Sequence, residues 1–136
     1  MKECPLCAKE FKPKSPHHFF CSVKCCGAYN VGKTWDSYFR KLIQKSPNRK
    51  GLTVEVLKDM LEDQEGLCAL SGIPLTKIMG TGNISTNASI DRINAGGPYT
   101  KKNIRLVCHY LNSFRGQVSD GEFLFFCRRV TLHNGK

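Results

Sequence analysis

Residues 89 to 112 read Ser89-Ile90-Asp91-Arg92-Ile93-Asn94-Ala95-Gly96-Gly97-Pro98-Tyr99-Thr100-Lys101-Lys102-Asn103-Ile104-Arg105-Leu106-Val107-Cys108-His109-Tyr110-Leu111-Asn112. The apolar run from Ala88 to Ile93 has the length and composition of a short strand, and it carries one acid, Asp91, near its end. The Gly96-Gly97-Pro98 triplet breaks the run as a loop. Ile104, Val107, Cys108 and Leu111 then recur at i, i+3, i+4 and i+7, which predicts a helix from about Asn103 to Arg115. On that helix Arg105, His109 and Asn112 share a neighbouring stripe, so Asn112 offers its amide oxygen towards Asp91, with His109 one turn before it. A carboxylate at a strand end and an amide on a helix form a hard-oxygen pair. Such a pair suits a divalent cation that keeps positions for water and phosphate oxygens.

Working outward, Gly66–Leu75 reads as a strand, a turn and the start of a second strand. A loop rich in Gly, Ser, Thr and Asn follows from Gly80 to Asn87. Strand, strand, helix gives an α+β core, and residues 66 to 116 resemble the HNH (ββα-metal, His-Me finger) endonucleases. The resemblance implies a metal-dependent DNA endonuclease that hydrolyses phosphodiesters at a single-metal site, by nicking or by double-strand cleavage. It assigns Asp91 and Asn112 to the metal, Mg²⁺ or Mn²⁺. It gives Asn103 the place of the asparagine that pins the loop onto the strand. Asp91, Arg92, Asn103, His109 and Asn112 together make up the implied catalytic constellation.

The chain departs from that family twice. The family's general base is a histidine directly after the acid, and here the position holds Arg92. Histidine serves there because it titrates near neutrality and can take a proton from water. Arginine stays protonated and cannot. Three readings stay open: His109 supplies the base, the cation alone activates water, or the chain is a zinc-finger nucleic-acid-binding protein with a catalytically impaired fold. Arg92 itself suits a clamp on the scissile phosphate. Many family members also brace the fold with a second zinc held by two Cys-x-x-Cys pairs. The corresponding positions read Cys68-x-x-Ser71 and Cys108-x-x-Leu111, so half of each pair is missing. Cys68 and Cys108 are therefore expected to be small buried apolar groups.

At the N-terminus, Cys4-Pro5-Leu6-Cys7 and Cys21-Ser22-Val23-Lys24-Cys25 place two close thiol pairs thirteen residues apart. Each short loop brings two sulfurs to one ion, and the stretch between them closes as a hairpin, which is the spacing of a tetrahedral structural zinc site. About thirty residues bury too little apolar surface to fold alone, so the metal would contribute folding energy directly. Cys26 is the alternative to Cys25, and His17 and His18 are read as DNA-facing or solvated rather than as ligands.

Between the two units, Trp35, Tyr38, Phe39, Leu42 and Ile43 define an amphipathic helix whose outer face carries Arg40, Lys41 and Lys45. A basic turn follows from Ser46 to Gly51. Thr53 then caps a second helix that buries Val54, Leu57, Met60 and Leu61. Ser119-Asp120-Gly121-Glu122 has the form of a capping box for a terminal helix expected to bury Phe123, Phe126, Cys127 and Val130. The organisation read from the chain is thus a Cys4 zinc finger over 1–30, a helical connector over 31–65 and a nuclease core with its C-terminal helix over 66–136.

The 136 residues carry a net charge of +10, with 51–66 the one acidic stretch. A basic chain suits a polyanionic partner, because neutralised phosphates release counterions. Lys101, Lys102, Arg105 and Arg115 flank the implied site and are expected to hold DNA phosphates on either side of the cut. No window is apolar enough for a transmembrane helix, and the first residues lack the apolar segment of a secretory signal. The eight cysteines are accordingly read in a reducing, cytoplasmic setting, the host's if a phage encodes the chain. A small-molecule cofactor and a membrane partner are not expected, and the chain reads as a monomer, with a dimer as the alternative. A finger joined to an HNH core on so short a chain resembles the standalone nucleases of phages and mobile elements.

Overall fold

A computed structural model describes residues 1–5, 7–16, 18–25, 34–79 and 82–135. At the N-terminus, strands β1 (Lys2–Glu3) and β2 (Glu10–Phe11) pair antiparallel, Lys2 opposite Phe11. The connecting turn is closed by the Cys4 N–H on the Lys9 carbonyl and the Ala8 N–H on the Cys4 carbonyl, each at 2.9 Å. A small cluster forms around the buried Cys4 and Cys25, against which Phe11, Phe20, Cys21 and Ile78 pack. Ile78 belongs to the following unit and ties the two together.

Helix α1 (Trp35–Gln44) starts at Thr34, whose hydroxyl accepts from the Ser37 N–H at 3.2 Å. Its apolar face is the one expected: Tyr38, Phe39 and Leu42 are buried, and the Trp35 ring stacks on Phe39 with centroids 5.1 Å apart. The Tyr38 hydroxyl donates to the Ala88 carbonyl at 2.7 Å, and burial pushes its phenol up to about 12. Arg49, in the 3₁₀ turn Pro47–Arg49, donates to the Leu42 carbonyl at 2.8 Å and so satisfies an end of α1. Helix α2 (Val54–Asp63) is capped by Thr53, with the Val56 N–H on its hydroxyl at 3.2 Å, and buries Leu57 completely.

Strands β3 (Ala88–Arg92) and β4 (Ile104–Cys108) form the second antiparallel pair, in a register from Ala88 opposite Cys108 to Arg92 opposite Ile104. Helix α3 (His109–Arg115) follows β4 without a break. The ββα order is therefore built from β3, β4 and α3. The helix expected from about Asn103 is a strand over its first five residues, after a 3₁₀ turn at Lys101–Asn103. Ile104, Leu106 and Cys108 fit a strand period as well as Ile104, Val107 and Cys108 fit a helical one. A short apolar run cannot separate the two; pairing with Ala88–Arg92 decides it. Gly66–Leu75 makes only an isolated bridge, Leu67 with Pro74.

Gln64, at the end of α2, works as a false strand residue. Its side-chain amide donates to the Leu106 carbonyl at 2.8 Å and accepts from the Leu106 N–H at 3.0 Å, which closes the free edge of β4. The main core then gathers Tyr38, Phe39 and Leu42 of α1, Leu57 of α2, and Ile90, Leu106 and Val107 of the sheet. Cys68 and Cys108 lie in that core, 3% exposed each, with the Cys108 N–H on the Cys68 sulfur at 3.2 Å. The terminal helix α4 (Asp120–His133) departs from expectation. Ser119 caps it, but none of its residues is buried, and Phe126 and Val130, expected in the core, are each 62% exposed.

Candidate active site

Asp91 sits at the end of β3 opposite Arg105 of β4, and its carboxylate is almost wholly enclosed. Arg105 Nε donates to Asp91 Oδ2 at 2.9 Å and Arg115 Nη1 donates to Oδ1 at 2.7 Å. Both arginines also meet Asp120, the first residue of α4. Arg105 grips it in a two-pronged fashion at 2.7 and 2.6 Å, and Arg115 Nε lies 3.0 Å away without hydrogen-bond alignment. Arg115 is 2% exposed and donates further to the carbonyls of Arg92 and Ile93. Two carboxylates and two guanidiniums thus close a ring. Arg105, by its hydrogen bonds and charge, holds the Asp120 carboxyl below the ordinary value, and Asp120 in turn raises Arg105.

Arg105 and Arg115, read from the sequence as phosphate contacts, have their donors directed at Asp91, Asp120 and backbone carbonyls. Arg105 also shares no helix stripe with His109 and Asn112; it reaches Asp91 across the sheet. Lys101 and Lys102, by contrast, are exposed on the 3₁₀ turn.

Asn112, on α3, donates to the Ser89 hydroxyl at 2.7 Å and more weakly to the Ile90 carbonyl at 3.4 Å. That commits its nitrogen and makes its oxygen the atom available to a cation. Asn112 and Asp91 line one polar pocket of about 100 Å³ together with Arg92, Arg49 and Tyr99. Two guanidiniums flank the Tyr99 ring, Arg92 at 4.8 Å and Arg49 at 5.2 Å from its centroid, and Arg92 also donates to the Gly97 carbonyl at 3.1 Å. Asn112 is shared with a larger cleft of about 420 Å³, on which His109, Ser113 and Ser89 face Lys41, Lys45 and Arg49. His109 opens on this cleft and does not line the pocket of Asp91.

Asn103 donates to the carbonyls of Asn94 and Pro98 at 3.1 and 2.9 Å and accepts from the Asn94 N–H at 2.9 Å. It ties both ends of the loop together and touches neither cavity. The loop is tight at Gly97, where a Cβ would stand 2.6 Å from Asn103 Nδ2.

For a divalent cation the donor set is of the right kind. Each Asp91 oxygen carries one guanidinium N–H and retains acceptor capacity, and the Asn112 oxygen is a second hard donor. Four neighbouring guanidiniums oppose a bare cation, and the same charges favour it once a phosphate shares the pocket.

At the N-terminus, the sulfurs of Cys4, Cys7, Cys21 and Cys25 all lie within 4.8 Å of one another, with Cys7–Cys21 at 3.5 Å and Cys21–Cys25 at 3.7 Å. A zinc–sulfur bond of about 2.3 Å puts tetrahedral ligands about 3.8 Å apart, so the cluster fits zinc. Hydrogen bonding to Cys7, then burial and the other thiols, pushes Cys21 up to about 12. His18 is held away from this role, its Nδ1 accepting from the Lys14 N–H at 2.9 Å. His17 and Cys26 lie outside the described residues.

Reading by spacing missed Asp120 and Arg49. Asp120 was visible only as part of a cap, and Arg49 only as part of a basic turn.

No family model matches the chain, and no curated relative matches it. Among solved structures, that of the rare-cutting HNH restriction endonuclease PacI, described for an extraordinary mechanism of DNA perturbation, aligns with 98% of this chain and 95% of its own. The identity is 16% and the TM-score 0.45. A likeness of that size fixes neither an activity nor site residues, and both rest on the geometry above.

Proposed function

We propose that the chain is a divalent-metal-dependent DNA endonuclease acting at the Asp91 end of β3. The observation that carries the reading is the shared pocket: an acid and an amide from the two arms of a ββα unit, with two arginines on its rim. Asp91 and Asn112 would hold Mg²⁺ or Mn²⁺, and the ion would supply charge stabilisation at the phosphodiester and lower the pKa of water. Arg92 and Arg49 bind the non-bridging oxygens of the scissile phosphate, pre-aimed by their contact with Tyr99. His109 takes the proton from the attacking water on the side of the larger cleft. Lys101, Lys102, Lys41 and Lys45 hold flanking phosphates. Arg105 and Arg115 act as positioning residues that fix the Asp91 carboxylate.

A nucleic-acid-binding module with impaired chemistry is the second reading. It is favoured by the guanidinium N–H groups on both Asp91 oxygens and by an arginine where a base is needed.

Conversion of supercoiled plasmid to nicked and linear forms, in Mg²⁺ or Mn²⁺ against EDTA, separates the two. Metal-dependent nicking is expected, and Asn112→Ala should bring it below detection. Asn112→Ala is the cleaner variant, since Asp91→Ala also strands two arginines. Parent-rate cleavage by Asn112→Ala would remove this site from consideration. Binding without cleavage in either metal would move the conclusion to the second reading.

A further inference from the structure

Among the described residues, helix α4 carries a run of uncovered apolar side chains. Leu124, Phe125, Phe126, Val130 and Leu132 are 40%, 55%, 62%, 62% and 67% exposed. Phe123, Phe126, Cys127 and Val130 recur at helical spacing on one stripe, and Leu124 and Leu132 lie on another. Glu122 and Arg129, seven residues apart, share the face of Phe125 and Phe126, and Arg128 falls between Leu124 and Leu132. An isolated helix of 14 residues is marginal in water. It is also too short to cross a bilayer, which needs about 20 apolar residues. Only its first turn is anchored, through Ser119, Asp120 and the half-buried Phe123.

We infer that α4 packs antiparallel on α4 of a second copy of this chain, about a two-fold axis between Phe125 and Phe126. Charge selects the second copy and the direction. The N-terminal turn carries Asp120 and Glu122, and the C-terminal half carries Arg128 and Arg129. Antiparallel pairing about that axis sets Glu122 of each copy across from Arg129 of the other, whereas parallel pairing would oppose like charges. The area is modest. With buried aromatics covering roughly 150–250 Å² each, Phe125 and Phe126, both more than half exposed, and the flanking Val130 and Leu132 supply on the order of 400 Å² per copy. A self-complementary pair then buries on the order of 800 Å², in the range of a weak interface, so association should depend on concentration. Because Asp120 starts α4 and also holds Arg105 and Arg115, the pairing fixes two Asp91 pockets in a two-fold relation. Under the proposed function, that relation matches the opposed strands of a duplex.

Sedimentation equilibrium of the full zinc-loaded chain tests this without reference to cleavage. The mass should rise from 15.3 kDa towards twice that value with concentration. Phe126→Asp, on a solvent-facing position, should stay monomeric with unchanged far-UV circular dichroism. Glu122→Arg alone and Arg129→Glu alone should each weaken association several-fold, and the two together in one chain should restore it. A wild-type mass fixed at 15.3 kDa at every concentration would overturn the pairing, as would growth past the dimer. Failure of the double exchange to rescue would overturn the antiparallel register.

Discussion

Four thiols meet near the N-terminus and four charged side chains meet at the end of β3, and the two groups are held by opposite means. The thiols are alike: their sulfurs all lie within 4.8 Å of one another, and hydrogen bonding to Cys7 and burial push Cys21 up to about 12. Such a set carries no opposite charge of its own and suits a cation. The second group contains two carboxylates and two guanidiniums that answer one another without any ion. One region thus offers four ligand sulfurs to a metal, and the other is held by its own charges, even though the second is where a catalytic cation is proposed.

The largest effect expected from that contrast follows zinc removal. Structural zinc contributes about 10–16 kcal/mol in isolated fingers. Among the described residues, Cys4 and Cys25 alone are buried in the N-terminal cluster, with Phe11, Phe20, Cys21 and Ile78 packed against them. A strong chelator should abolish hydrogen-exchange protection at the Cys4 and Ala8 amides. It should leave protection at Ile93 and Leu106, whose partners are Asn103 and Gln64. Protection at Cys4 and Ala8 that survived in the metal-free chain would erase the distinction between the two regions.

Next in size is the charge ring. Asp91→Asn removes one member while Arg115, 2% exposed, cannot reach water, so unfolding stability should fall by about 3–5 kcal/mol in urea titrations. Asp120→Asn should cost less, because the Asp120 side chain is 37% exposed and solvent screens the loss. The pH dependence has a definite sign. A carboxyl held below its ordinary value stabilises the fold at pH above that value, and the contribution is lost as pH falls through the depressed one. Wild-type stability should thus decline below about pH 4, and Asp120→Asn should flatten that decline. Equal costs for the two substitutions would mean the ring is no more enclosed at Asp91 than at Asp120.

The same contrast explains what was legible from the chain. Cys4, Cys7, Cys21 and Cys25 declare themselves because both pairs are local, and spacing alone brings their sulfurs together. Asn103 bonds across the Gly96-Gly97-Pro98 loop for a similar reason, its partners lying within nine residues. The ring was not legible. Arg105 meets Asp91 only once Ile104–Cys108 is known to be a strand, and four apolar residues in five fit both periods. Arg115 and Asp120 meet across a helix end and a turn that no spacing rule relates. The exposed α4 was misread because a regular apolar stripe reports that a surface is to be covered, not which chain covers it.

The smallest effect probes the loop between the two strands. The Gly97 backbone has no positive φ, so alanine is conformationally acceptable there and any cost must be steric. An added Cβ would stand 2.6 Å from Asn103 Nδ2 and 3.3 Å from the Asn94 carbonyl oxygen. The first contact forces the Asn103 amide off at least one of its bonds to Asn94 and Pro98, so Gly97→Ala should cost about 1–3 kcal/mol. Asn103→Ala removes the obstacle together with those bonds. In that background Gly97→Ala should be nearly silent, leaving a coupling of about 0.5–3 kcal/mol between the two sites in a double-mutant cycle. If Gly97→Ala cost the same in both backgrounds, the Asn94 carbonyl would be the true limit on residue 97. The Asn103 amide would then matter to the loop through its hydrogen bonds alone. Coupling would instead identify a self-contained latch, two residues that hold the strand ends in register and leave the Asp91 ring to set the charge.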